Sequence, residues 1–161
     1  MLPVNGSDLR RDRRRGGELV EVLSKTDFSF DGRDSGSDQV VPLAVGIDTS
    51  GWKSGVLAVR LHAIGTWSAS ATAIIEPYNV SLVPEDPSIV YTGALLTGPG
   101  GVGTAEVRII NTIAAGALVM KEFGSAVGHQ LMVRLVWNQG PTPAVGAQTF
   151  SISCDLVGRY Q

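Results

Sequence analysis

The sequence predicts an all-β domain, a β-sandwich of jelly-roll-like type with eight or nine antiparallel strands and an extended N-terminal arm. Three observations carry this. Several segments alternate apolar and polar residues with period two, the pattern of a strand buried on one face. Glycines and prolines, 20 and 8 of them in 161 residues, fall between those segments, where turns need them. No segment carries a long apolar stripe at helical spacing. Strands that each bury one face must bury it against a second sheet, so a sandwich or jelly roll is the natural solution. No internal repeat points to a propeller or solenoid.

Residues 1–17, MLPVNGSDLRRDRRRGG, read as the arm, with turn formers, a charge cluster and a glycine pair but no apolar periodicity. Ordering such a segment costs about 1–2 kcal/mol per residue, which contacts with a neighbouring subunit would offset. Residues 18–161 then form a single β-sandwich domain. Glu18 to Leu23 is a short strand, and Asp27 to Asp38 (DFSFDGRDSGSD) a polar loop. Val40 to Val45 contains Pro42, which suits an edge strand, and Ile47 to Gly55 is a turn-rich connection. Val56 to Ile64 alternates Leu57, Val59, Leu61 and Ala63 with a mixed face carrying Arg60 and His62. Thr66 to Ile75 continues as a strand that Glu76-Pro77 ends. Pro84 to Pro87 is a turn, Ile89 to Thr97 a strand, and Gly98 to Gly103 (GPGGVG) a loop. Ala105 to Asn111 and Gly116 to Phe123 fit helix or strand. Their β-branched residues and Gly116 favour strand. The last two strands, Gln130 to Trp137 and Gln148 to Val157, place Leu131, Val133, Leu135 and Trp137 on one face and Phe150, Ile152, Cys154 and Leu156 on another.

Composition narrows the function. Charged residues make up 17% of the chain against a typical ~25%, a shortage that a subunit packed against neighbours tolerates. Net charge is −2, so no global basic field holds nucleic acid. Ten of the thirteen basic residues are arginines. Five of these, Arg10, Arg11, Arg13, Arg14 and Arg15, cluster in the arm, where Asp8 and Asp12 leave a local charge of +3. That is too little for strong phosphate binding alone, and bidentate pairing with an acidic neighbour is the better reading. The single cysteine, Cys154, implies no disulfide. The chain shows neither a signal-peptide pattern nor an apolar run long enough for a membrane helix.

Motifs with chemistry are few. Gly98-Pro-Gly-Gly-Val-Gly103 matches G-x-G-x-x-G, but a strand-like TAEVRIIN follows it rather than the helix phosphate binding needs. Asp34-Ser35-Gly36 and Asp48-Thr49-Ser50 are similar to aspartic-protease signatures but read as ordinary Asx and Ser turns. Asp27, Asp31, Asp34 and Asp38 lack EF-hand spacing. His62, His129 and Cys154 are the only His and Cys residues, and Cys154 lies on an apolar face. No catalytic, cofactor or metal set is expected, and the chain is read as having no enzyme activity. Trp52, in a turn, is a possible exposed aromatic. It keeps open the alternative of a carbohydrate-binding or adhesin-like module.

The stretch from Ile47 to Asp86, with its D-x-S-G-aromatic-x-S run (Asp48 to Ser54), its apolar strand and Arg60-x-His62, resembles small accessory head proteins of tailed phages. So does the closing QTFSISCDLVGRY. The resemblance covers about half of the chain and carries no functional residue. It implies a jelly-roll-like virion subunit (decoration, cement or minor capsid protein), made in the host cytoplasm, that binds and reinforces a capsid shell. Its partners would be the major capsid protein or other virion subunits, with homo-oligomers formed and no membrane.

Overall fold

The computed structural model describes residues 4–5, 10–14, 17–33, 38–79, 94–124 and 130–160. Among them the strands, in chain order, are β1 (Val4–Asn5), β2 (Arg10–Arg14), β3 (Gly17–Asp31), β4 (Asp38–Asp48), β5 (Ser54–Ile64), β6 (Thr72–Asn79), β7 (Ala94–Leu95), β8 (Val107–Ile109), β9 (Leu118–Phe123), β10 (Gln130–Asn138) and β11 (Ala147–Arg159).

One sheet has the order β2-β3-β11-β5-β9, and the other β1-β4-β10-β6-β7, with β8 also on β6. Without the short β1, β2 and β7, the odd strands 3-11-5-9 face the even strands 4-10-6-8. Each early strand pairs with its counterpart counted from the other end: β3 with β11, β4 with β10, β5 with β9 and β6 with β8, all antiparallel. The chain is thus one long hairpin rolled over itself, the jelly roll. Among the described residues only β1, on β4, is parallel.

The strand phase follows the sequence pattern except at the end of β5, where the register shifts and Ala63, expected on the apolar face, is exposed while Ile64 packs against the core. Leu57, Val59 and Leu61 of β5, Leu131, Val133, Leu135 and Trp137 of β10, and Phe150, Ile152, Cys154 and Leu156 of β11 all point into the core and are buried. At one end of the core Phe30 stacks on Trp137 with centroids 5.0 Å apart, and Trp67 meets the same indole edge-on at 4.9 Å. Unlike a one-sided strand, β10 also buries Met132 and Val136 on its outer face. There Met132 packs with Val45 and Tyr78.

Three elements correct the sequence reading. The segment read as a polar loop from Asp27 is strand β3 as far as Asp31. In DFSFD the two phenylalanines alternate with polar residues, and Phe28 and Phe30 are buried while Ser29 is exposed. The strand expected over Thr66 to Ile75 starts only at Thr72, after a turn closed by Ala71 N–H to Ser68 O at 3.2 Å. It then runs through Glu76-Pro77 instead of ending there. Pro77 is tolerated because its carbonyl accepts from Leu96 N–H at 3.0 Å, so its missing donor lies on the same flank, between the stretches of β6 that pair with β8 and with β7. Finally, Arg10 to Arg14 do not extend away from the domain. They form β2, pairing antiparallel with Gly17 to Glu21 of β3.

The remaining segments agree. Both ambiguous stretches contain strands, β8 and β9, and GPGGVG is a hairpin loop with Gly98 N–H bonded to Gly103 O at 3.2 Å. The turn at Pro84 to Pro87 and most of the Ile89 to Thr97 strand lie outside the described residues.

Candidate interaction surface

The sequence singled out Trp52 as an exposed aromatic; the structure buries it, with 4% of its surface accessible. Its ring fills the end of the sandwich, stacked near Phe123 at 6.4 Å. It occupies the space left by Gly158, where a Cβ would approach a Trp52 ring carbon to 2.0 Å. Its Nε1–H donates to the buried Glu18 carboxylate at 3.2 Å, and Tyr160 OH donates to the same oxygen at 2.5 Å. A ring held in this way offers no stacking platform to a sugar. Glu18, which sequence reasoning passed over, organises this end of the molecule.

Arg10, Arg11, Arg13 and Arg14 occupy β2, and the ladder sets Arg10 opposite Glu21 and Arg13 opposite Glu18. Arg15 lies outside the described residues, as do His129 and Asp34. His62 sits half-buried on the outer face of the odd sheet, its Nε2 2.8 Å from Ser153 Oγ. Cys154 is buried, and burial pushes its thiol far up, away from the thiolate a nucleophile needs. Asp48 accepts from Ser50 N–H at 3.0 Å, an Asx turn. Asp31 accepts likewise from Arg33 N–H, and Asp38 accepts from Asn138 at 2.5 Å. Among the described residues no three His, Cys, Asp or Glu side chains converge on a possible metal position. None of their helices is long and apolar enough to cross a membrane.

The surface that stands out is one the sequence did not flag. At one side of the sandwich both four-stranded layers end together, the even sheet on β8 and the odd sheet on β9. Between them runs a groove of about 430 Å³ lined by the loop at Val102 to Thr104 and by Glu106, Arg108, Val119, Met120 and Lys121. β9 pairs with β5 on one flank, and among the described residues no strand pairs with the other. Leu118 and Met120 lie on its outer face, 46% and 61% exposed, while Val119 turns inward against the core. Val102 stands at the tip of the neighbouring hairpin, also exposed. Charged pairs flank this apolar centre: Arg159 with Glu122 at 3.8 Å, and Arg108 with Glu106 at 3.3 Å. The period-two run Leu118-Val119-Met120 was legible as a strand. Its place at a sheet edge, with no partner strand on one flank, was not.

On the outer face of the odd sheet, Asp155 stands beside Glu21 in the β11–β3 ladder. Burial, and then the Glu21 carboxylate, raise the Asp155 carboxyl above the ordinary carboxylate range, and the Arg60 guanidinium partly opposes them. On the even sheet Arg134 donates to Glu76 at 2.9 Å and to Tyr78 OH at 2.7 Å. Burial and Glu76 together raise the Tyr78 phenol. Both groups behave as structural polar networks on sheet surfaces.

No protein-family model matches the sequence, and no curated protein matches it either. Solved structures do. The VP2 subviral particle of infectious bursal disease virus superposes with a TM-score of 0.50 at 13% identity, covering 93% of this chain and 33% of that one. T=1 particles derived from the same virus give 0.48 at 14% identity, covering 93% and 32%. The chain therefore spans about a third of the length of the solved chains it matches. At this identity the likeness to the VP2 chain shows a shared fold alone.

Proposed function

We propose that the chain is a structural subunit of a virion shell, and more narrowly an accessory head protein, of decoration, cement or minor capsid type, of a tailed phage. The observation that carries the reading is the nested pairing of β3-β11-β5-β9 against β4-β10-β6-β8, in a fold that superposes on the VP2 chain of a subviral particle. The low charge content and the apolar β9 edge support it, since both suit a surface that meets other subunits. The finer assignment rests on the Ile47 to Asp86 and Gln148 to Tyr160 resemblance. On this reading the protein works by binding and has no catalytic centre. Its partners are other virion subunits, and its location is the virion.

The test is composition. Particles are purified by density gradient from the cells that make the protein, and their proteins are quantified by mass spectrometry. The reading requires the chain in the shell band at a fixed ratio to the main shell protein. Absence from the particles, or a trace that varies between preparations, contradicts it.

A further inference from the structure

We propose that a hollow on the outer face of the odd sheet is a docking site for a cationic side chain, lysine or arginine, presented by another protein. This goes beyond the virion assignment and does not depend on it.

Two neighbouring rungs of the sheet build the hollow. Asp27 of β3, Ser151 of β11 and Ala63 of β5 lie side by side in register. Thr149 of β11 pairs with Ser29 of β3, and its carbonyl accepts from Gly65 N–H at 2.9 Å. Residues opposed across a ladder share a face, and these alternate with Phe28, Ile64 and Phe150, which turn to the core. All six outward residues are short, so the face sinks there into an open cavity of about 410 Å³. Gly65 leaves the room that Thr149 Oγ1 fills, since a Cβ at this glycine would run into that oxygen.

The chemistry of the lining is one-sided. Its polar side chains are one carboxylate and three hydroxyls, and no lining side chain bears a positive charge. Ser151 is 3% exposed and its Oγ is buried with no hydrogen-bond partner, which costs stability until a ligand meets it. The next outward hydroxyl along β11, Ser153 Oγ, lies 2.8 Å from His62 Nε2, so the unpartnered oxygen on this strand is the one in the hollow. Asp27 is exposed beside it, and among the described residues it is in no ion pair. Opposed residues of antiparallel strands have Cβ atoms about 4.5–5.5 Å apart, so one head group reaches both. An ammonium or guanidinium brings several N–H donors and the opposite charge. The methylene stem behind it suits the carbon surface of Ala63 and Gly65. The occupant is a side chain rather than a free small molecule, because sites for the latter bury about 70–90% of the ligand. Walls of Ala63 and Gly65 on an open sheet face leave one side bare, and a side chain arrives with its own protein to cover that side.

The experiment uses the full chain, isotope-labelled so that its amide resonances are followed by NMR. The probes are blocked tripeptides with lysine or arginine between two glycines. At millimolar concentration at least one should shift the amides of Asp27, Ala63 and Ser151 saturably. The norleucine analogue keeps the stem and lacks the charge, and it should bind at least about tenfold more weakly. Asp27→Asn, at an exposed position, should weaken binding of the charged peptide by a similar factor. Ser151→Ala should weaken it without lowering the melting temperature, since the hydroxyl removed bonds nothing in the fold. Ala63→Leu, also at an exposed position, should fill the hollow and abolish binding while leaving the circular dichroism melt in place. Butylammonium, a head and stem with no chain attached, should bind more weakly than the lysine peptide. The proposal is overturned by shifts that do not saturate, by equal binding of the norleucine peptide, or by binding that survives Asp27→Asn or Ala63→Leu. It is overturned as well if butylammonium binds more tightly than the lysine peptide, which would make a free amine the occupant.

Discussion

Glu18 is a carboxylate where the sandwich closes, and two donors from distant parts of the chain, Trp52 and Tyr160, converge on one of its oxygens. A hydrogen bond to a charged acceptor contributes about 1.5–3 kcal/mol, so Tyr160→Phe should lower the unfolding free energy in urea by that amount. A change below about 0.5 kcal/mol would show that the contact is incidental. Asp155 gives a second prediction at this scale. Its carboxyl is raised in the folded state, so ionising it favours the unfolded chain. That cost is absent well below the ordinary carboxylate range and fully present at neutral pH. Asp155→Asn should therefore stabilise the protein at pH 7, and the gain should shrink as pH falls towards the carboxylate range. An equal gain at pH 7 and pH 4 would rule out this cause. Neither site was legible in the sequence. Trp52 sits among turn residues, and what buries it is Gly158, more than a hundred positions away, whose missing side chain makes the room.

At the scale of elements, alternation did most of the work, and it failed where turn-forming residues masked it. Val56 to Ile64, Gln130 to Trp137 and Gln148 to Val157 were readable because most of their inward positions are large and apolar. Leu61→Ala or Leu135→Ala should cost about 2–5 kcal/mol. DFSFD at 27–31 has the same period, but its polar positions are aspartates and a serine, the vocabulary of loops. Phe30→Ala should cost about 3–5 kcal/mol, while Ser29→Ala, on the exposed face, should change stability little. Two small effects would return this segment to a loop. The arginine-rich segment misled for the opposite reason: it has no apolar face, yet main-chain pairing with β3 incorporates it as β2. Deleting residues 1–16 should therefore uncover the β3 edge and lower the melting temperature. An unchanged melt would show that β2 contributes nothing to the fold.

For the molecule as a whole, the sequence defined an all-β sandwich but not which strands pair. Gly17 pairs with Arg159 and Asp48 with Gln130, partners that local patterns cannot announce because the ladder joins segments separated by most of the chain. The rolled hairpin leaves one side where both layers end, at β8 and β9, and the apolar edge there is a consequence of topology that no window of sequence reveals. The central claim, that this jelly roll is a shell subunit, is tested most directly by cryo-electron microscopy of particles from the cells that make the protein. The account predicts density for the β3-β11-β5-β9 and β4-β10-β6-β8 sandwich at symmetry-related positions on the shell. A reconstruction in which every shell density is explained by other chains, or in which this sandwich appears away from the shell, would contradict it.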